Sequence, residues 1–281
     1  MIGATIVSSG IDYISASMKI NRPNAVQWYH NCVRYIETIA SDGIDIYPGR
    51  RLGYEGLVCG GSFIGARDDG YFCTISGERA QAGFAEVYRG IPNVSRIDVQ
   101  TTARLPAGNA DTARNARNAV ISSNEQLGSA RQRNATLIED LRGGATCYVG
   151  SMKGLQYARI YNKEAESKEA VYKDCWRYEV VLRNDLAGQT AELCKLSDYT
   201  QPVWSAMFVR QWLRKRGIQV PYAAAAELHA LPSRETHQSD VETRLQWLRE
   251  QVRPALRRLI KLGLRDSILE ALGLDENEGG E

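Results

Sequence analysis

The sequence predicts an α+β fold: an antiparallel-rich central sheet with one polar face, flanking helices and a C-terminal helical segment. The first observation behind it is strand alternation, since successive side chains of a β-strand point to opposite faces. Read as strands, YVGSMKGLQYARIYNKEAES (148–167) gathers Tyr157, Arg159, Tyr161 and Lys163 on one side, and CWRYEVVLR (175–183) gathers Arg177, Glu179 and Arg183. Their other sides carry Ala158, Ile160, Tyr178, Val180 and Leu182, which suit a core. A third segment, NVSRIDVQTT (93–102), repeats the design, with Arg96 and Asp98 outward and Ile97 and Val99 inward. The second observation is a glycine-punctuated stretch of short segments. The third is a set of helical periods before, between and after the strands.

In chain order, Gly10–Ser17 reads as an opening strand. Residues 24–39 follow with Val26, Tyr29, Val33 and Ile36 near the helical period. From Gly53 to Gly77, LVCGGSFIG and GYFCTISG read as β-hairpins. Their Gly-Gly is not a phosphate-binding loop, because neither Gly-Lys-Ser/Thr nor a helical pattern follows. Residues 81–90 form a short helix, and Val94–Thr101 is the strand bearing Asp98. The Ala/Asn/Arg-rich segment 107–142 reads as one or two helices broken near Gly128. The two motif strands follow, then a helix over 203–217 and another in PYAAAAELHALPS before Pro232. The last helix has a capping box, Ser239 with Glu242, and an apolar stripe of Val241, Leu245, Leu248 and Val252. Pro254 bends it and Gly263 ends it. The expected organisation is one domain over 1–236 with a C-terminal helical segment, 237–281, packed on it and closed by the acidic tail DENEGGE.

With 281 residues, 43% of them hydrophobic, the chain buries a substantial core. The formal net charge of +2 is too small to announce a polyanionic partner, but the cations are clustered. One row spans Arg210 to Arg216; another contains Arg249, Arg253, Arg257, Arg258, Lys261 and Arg265. Such local surfaces bind phosphate even when acids elsewhere cancel the total, although helices rich in Arg and Glu are also simply soluble. The six cysteines show neither a C-x-x-C pair nor zinc-site spacing. The N-terminus lacks a signal-peptide pattern, and no apolar run reaches bilayer length. A cytoplasmic protein without membrane contact is the expectation.

The polar motifs, taken in order, resemble the replication initiation factor family, which comprises initiators of rolling-circle plasmids and related relaxases of mobile elements. The matching residues are Tyr148–Ser151, Arg159–Lys163 followed by Glu166, Arg177 with Glu179, Arg96–Asp98, Ile75–Gly77 and the run from Ser239 to Leu274. The resemblance implies a protein that nicks one DNA strand at an origin by tyrosine transesterification, leaving a 5′-phosphotyrosyl link and a free 3′-OH. It implies origin DNA as partner, a host helicase, and a homodimer. A conjugative relaxase with the same chemistry and a non-catalytic origin-binding protein remain alternatives, as does a plain salt-bridged surface.

Tyr161 occupies the family's Arg-Ile-Tyr-x-Lys position and is the expected nucleophile, with Tyr148 and Tyr157 next in line. A phenol is a poor nucleophile near neutrality, its ordinary pKa being about 10, so cations or a metal must assist it. Lys163 is expected to steady the phenolate or the phosphate; Arg159, Arg177 and Arg183 are expected to clamp phosphate. Arg183, Arg253, Arg257 and Lys261 are the expected DNA contacts. The chain has three histidines and no His-hydrophobic-His pair, so carboxylates must supply any metal ligands, which suits Mg²⁺ or Mn²⁺. Asp98 and Glu179 either bind that ion or pair with neighbouring arginines. Family members often carry a second acid four residues after the first; here that position is Thr102.

Overall fold

The computed structural model describes residues 4–89, 92–106, 111–125, 134–140, 144–167, 169–196 and 202–222, all within a unit that spans Met1–Ser233. The helix expected from Ser239, with Arg253, Arg257 and Lys261, falls outside the described residues, as do Gly128 and PYAAAAELHALPS beyond Tyr222.

Ten strands join in a single sheet in which every pairing is antiparallel. The first half is β1 (Thr5–Lys19), β2 (Ile46–Arg51), β3 (Tyr54–Cys59), β4 (Ser62–Arg67) and β5 (Gly70–Ser76). The second is β6 (Asn93–Arg104), β7 (Ala135–Glu139), β8 (Ala145–Val149), β9 (Gln156–Asn162) and β10 (Cys175–Arg183). Their spatial order is β2-β3-β4-β5-β1-β6-β10-β9-β8-β7, so the long β1 and β6 form the seam between two hairpin arrays. The β3–β4 connection is the two-residue Gly60-Gly61, both at positive φ (54° and 80°), which glycine adopts without steric cost and a tight hairpin loop requires.

Five helices bury their apolar stripes against one face of this sheet: α1 (Ala25–Ser41), α2 (Arg79–Tyr88), α3 (Thr112–Glu125), α5 (Asp185–Leu196) and α6 (Pro202–Arg214). Helices segregated to one face of an antiparallel sheet make an α+β fold, as the sequence predicts. The buried stripe of α1 is Trp28, Cys32, Ile36 and Ile39, whereas Val26 is exposed; the helical period is right but its inner face is rotated from the expected one. Trp28 fixes that rotation by donating its indole N–H to the Val87 carbonyl at 2.6 Å.

Two other expectations need correction, and one helix is new. Segment 107–142 is not helical throughout: α3 ends at Glu125, and residues 135–139 form β7, paired with β8. Segment 148–167 is not one strand. Val149 ends β8, a turn with Gly150 at φ 96° follows, and β9 stops at Asn162. Asn162 Oδ1 then accepts from the Ala165 N–H at 3.1 Å, capping a short α4 (Lys163–Ser167). Helix α5, between β10 and α6, was not expected at all.

Candidate functional site

Alternation in β6, β9 and β10 divides the sheet into an apolar back and a polar front. On the back, Ile97, Val99, Ile160, Val180 and Leu182 are fully buried in the helix-covered core. On the front, strand register lines up three rows of polar side chains. The first row sets Tyr13, Asp98, Val181 and Tyr157 side by side on β1, β6, β10 and β9. The second sets Gln100, Glu179, Arg159 and Tyr148 on β6, β10, β9 and β8. The third sets Thr102, Arg177, Tyr161 and Thr146 on the same four strands. Tyr13 and Asp98, 85 positions apart in sequence, thus become neighbours through backbone pairing alone.

Asp98 and Glu179 both have no exposed surface, and each is held by an arginine. Arg96 grips Asp98 with two bonds, Nε to Oδ1 at 2.8 Å and Nη2 to Oδ2 at 2.5 Å. Arg159 sends both Nε (2.9 Å) and Nη2 (2.5 Å) to Glu179 Oε1. Glu179 Oε2 is buried and has no donor. A buried carboxylate oxygen with no donor is costly, and such a group keeps its proton instead. Burial pushes Glu179 up to about 8, against the pull of Arg159 and helped by Asp98 and Asp12. Burial also raises Asp98, opposed by Arg96, Arg159 and a hydrogen bond from Glu179. Glu179 Oε2 thus stands unsatisfied while its side chain and that of Asp98 act on each other. A divalent cation fits the same place: it would replace that proton, neutralise both acids and satisfy the orphaned oxygen. Among the described residues, however, no group of three or more His, Cys, Asp or Glu converges on one point.

Arg177 is 4% exposed and spans the third row. Its Nε donates to Thr102 Oγ1 at 2.9 Å and its Nη1 to Asp12 Oδ1 at 2.9 Å. Thr102 thus stands as a hydrogen-bond acceptor for an arginine where the resemblance expects an acid. Tyr161, paired directly with Arg177, is 8% exposed. Burial raises its hydroxyl well above the ordinary tyrosine value, with Glu179 adding to the rise and Arg177 opposing it. A cleft of about 360 Å³ reaches this tyrosine, lined among others by Thr146, Tyr148, Arg159, Tyr161, Asn162 and Glu166.

The structure brings together Asp98, Arg159, Tyr161, Arg177 and Glu179. Lys163, which the sequence placed on the same strand face, follows the last residue of β9. That residue begins α4, pairs with Glu166 at 2.5 Å and lies over the Tyr172 ring at 5.2 Å. Arg183 is at the end of β10, with Nη1 on the Met152 carbonyl at 2.6 Å and its guanidinium 5.4 Å from the Tyr157 ring centre. Among the described residues it has no carboxylate partner.

Sequence reading missed Asp12 and Tyr13. Ile11 faces Val99 and Ile14 faces Ile97, both in the core, so the intervening pair must contain one extra residue. That residue is Asp12, left unpaired by a β-bulge that turns its carboxylate toward Arg177. The signal was present in the sequence: two buried isoleucines three apart cannot share a face of an unbroken strand. Tyr13 then falls opposite Asp98, with the Arg96 guanidinium 4.5 Å from its ring centre.

The family model described as replication initiation factor matches residues 93–210, the region that carries β6, β9 and β10. Among solved structures, a rolling circle replication initiator protein from Geobacillus stearothermophilus is similar to this chain with a TM-score of 0.53 and 16% identity. The match covers 81% of this chain and 92% of that one, and at this identity it shows a shared fold. No curated protein matches the chain.

Proposed function

We propose that this chain is a rolling-circle replication initiator that nicks one strand of origin DNA, with the polar front of the sheet as its active site. The family match and the shared fold support a rolling-circle initiator. The observation that carries the site assignment is the register of the sheet, in which Tyr161 lies beside the buried Arg177, one strand from buried Glu179 and two from buried Asp98.

In this reading Tyr161 Oη attacks the scissile phosphorus. The bond to the 3′ oxygen breaks, the 5′ phosphate stays on the tyrosine, and the released 3′ oxygen takes up a proton to become the 3′-OH. The phenol must lose its own proton, and its buried surroundings oppose that. Arg177 is the cation placed to favour the phenolate, and it stays in position because Asp12 and Thr102 hold it. Arg159 crosses from the same row as Glu179 and can turn to phosphate if Glu179 finds another cation. A divalent metal, Mg²⁺ or Mn²⁺, held by Asp98 and Glu179, would supply Lewis-acid polarisation of the phosphate when bound. Asp12 is a further acid close to the same row, though its Oδ1, like the Thr102 hydroxyl, already accepts from Arg177.

The C-terminal segment 237–281, with Arg253, Arg257 and Lys261, is assigned to duplex DNA contacts by its charge alone. A helicase partner, a homodimer and a cytoplasmic setting belong to the same proposal. Among the described residues no helix is long and apolar enough to cross a membrane.

The test is incubation with a supercoiled plasmid carrying the chain's own gene neighbourhood, in Mg²⁺ or Mn²⁺. Relaxed circles and protein-linked DNA are expected, and Tyr161→Phe should abolish both while leaving DNA binding intact. Binding without any nicking by the unmodified chain would replace this reading by a non-catalytic origin-binding protein.

A further inference from the structure

The front of the sheet carries a second pattern, which extends from the acid pair toward β4. Three arginines each lie over an aromatic ring. Arg51 is 5.6 Å from the Phe63 ring centre, Arg96 is 4.5 Å from Tyr13 and Arg183 is 5.4 Å from Tyr157. Arg51 reaches from the end of β2 to Phe63 on β4, and the other two pairs sit on β1, β6, β10 and β9, which follow β4 across the sheet with only β5 interposed. Strand β5 is part of the row, because its Thr74 accepts from Arg51 Nη1 at 2.7 Å and pairs with Ser15, the neighbour of Arg96. From β4 to β9 is five strand spacings, about 24 Å.

The rings lie toward the sheet and the guanidinium groups lie above them. Phe63 is fully buried and Tyr157 6% exposed, while Arg51, Arg183 and the Arg96 side chain all keep a partly exposed surface. Arg96 is neutralised by Asp98 in the middle of the row. Arg51 and Arg183, at its two ends, have no carboxylate partner among the described residues. Tyr13 stands between cations: Arg96 and Arg51 both pull its hydroxyl downward against the larger effect of burial. Planar cations on aromatic supports, spaced along a line with unbalanced positive charge at both ends, offer stacking surfaces and phosphate contacts without base-specific readout.

We infer that this row is a track for single-stranded nucleic acid, running across the strands from Arg183 past Asp98 to Arg51. It rests on the reading of the chain as a DNA-nicking protein and adds where the strand flanking the cut would lie. Arg51 and Tyr13 become contacts on one side of the acid pair, and Arg183 a contact on the other.

The experiment measures binding of a fluorescent single-stranded oligonucleotide over a range of salt concentrations, for the full chain and for Arg51→Gln and Arg51→Lys. A single-strand phosphate contact contributes about 0.7 to the slope of log affinity against log salt. Arg51→Gln should lower the slope by about that amount and weaken binding several-fold at low salt, whereas Arg51→Lys keeps the charge and should keep the slope. Tyr13→Leu should weaken binding several-fold with the slope unchanged, because the aromatic support under the Arg96 guanidinium is lost while no charge is. Equal slopes in the parent and both Arg51 variants would overturn the track. Equal loss in the Gln and Lys variants would overturn it too, since Arg51 would then act only through its bond to Thr74. If the unmodified chain binds no single strand yet nicks plasmid, the track alone falls. If it does neither, the functional reading falls with it.

Discussion

The two faces of β6 and β10 are equally inaccessible, yet they are built from opposite chemistry. Behind the sheet, Ile97, Val99, Val180 and Leu182 have no exposed surface, and in front Asp98, Thr102 and Glu179 have none either. Burial therefore does not distinguish core from site in this protein. The distinction lies in what each side chain demands once it is buried. An apolar residue needs only close packing, and the five helices behind the sheet provide it. A carboxylate needs a donor, a cation or a proton. The front supplies arginines for some of its acid oxygens and leaves Glu179 Oε2 without a donor. A core has no reason to accept such an unbalanced set; a site that must bind a cation or move a proton does.

The sharpest way to break this comparison is to remove one residue from each face. Leu182→Ala should cost about 2–5 kcal/mol through the cavity it leaves. Arg177→Met should cost about 3–5 kcal/mol, because Asp12 is left as an uncompensated acid. The causes separate in a second step. Adding Asp12→Asn to Arg177→Met should recover a good part of the loss, since no stranded charge remains. Urea denaturation of the single and double variants measures this. A double variant as unstable as the sum of its parts would mean that Asp12 and Arg177 act as independent packing residues.

A smaller effect concerns pH. The folded chain raises Glu179 from 4.5 to about 8, so between those values it holds more protons than the unfolded chain. The stability this group contributes is fully present below its unfolded pKa and is lost as pH rises through about 8. In chelator, the parent should lose stability between pH 5 and pH 8 relative to Glu179→Gln, whose amide does not titrate. Metal affinity should run the other way. Ligation requires the ionised carboxylate, so Mn²⁺ binding by calorimetry should strengthen as pH rises toward 8 and weaken greatly in the Gln variant. Parallel pH–stability curves for the two proteins, with equal Mn²⁺ affinity, would remove the acid pair from any metal site.

The polar face was legible because alternation is local. Whether Arg159 and Tyr161 share a side depends only on the pleat between them, and the structure places them as that pleat requires. What lay beyond reach depended on chain breaks or on distant partners. Lys163 begins a helix rather than extending the strand because Asn162 caps that helix, although Asn-Lys-Glu also fits a strand end. Residues 135–139 became strand because β8 offers them a free edge, which an Ala- and Arg-rich composition does not reveal. Asp12 needed the bulge, and the bulge is readable only from the spacing of Ile11 and Ile14 against a partner strand. The pairing of Arg177 with Asp12 crosses 165 positions, a distance no local pattern spans.

The central claim is that Tyr161 reacts on this front face. The most direct measurement is to nick origin DNA in Mg²⁺ or Mn²⁺, digest the covalent adduct with protease and nuclease, and locate the modified residue by mass spectrometry. The account predicts a nucleotide linked through a 5′ phosphate to Tyr161, in the peptide that contains Arg159 or begins just after it. A nucleotide on Tyr13, Tyr148 or Tyr157, or an adduct that persists in Tyr161→Phe, would contradict it.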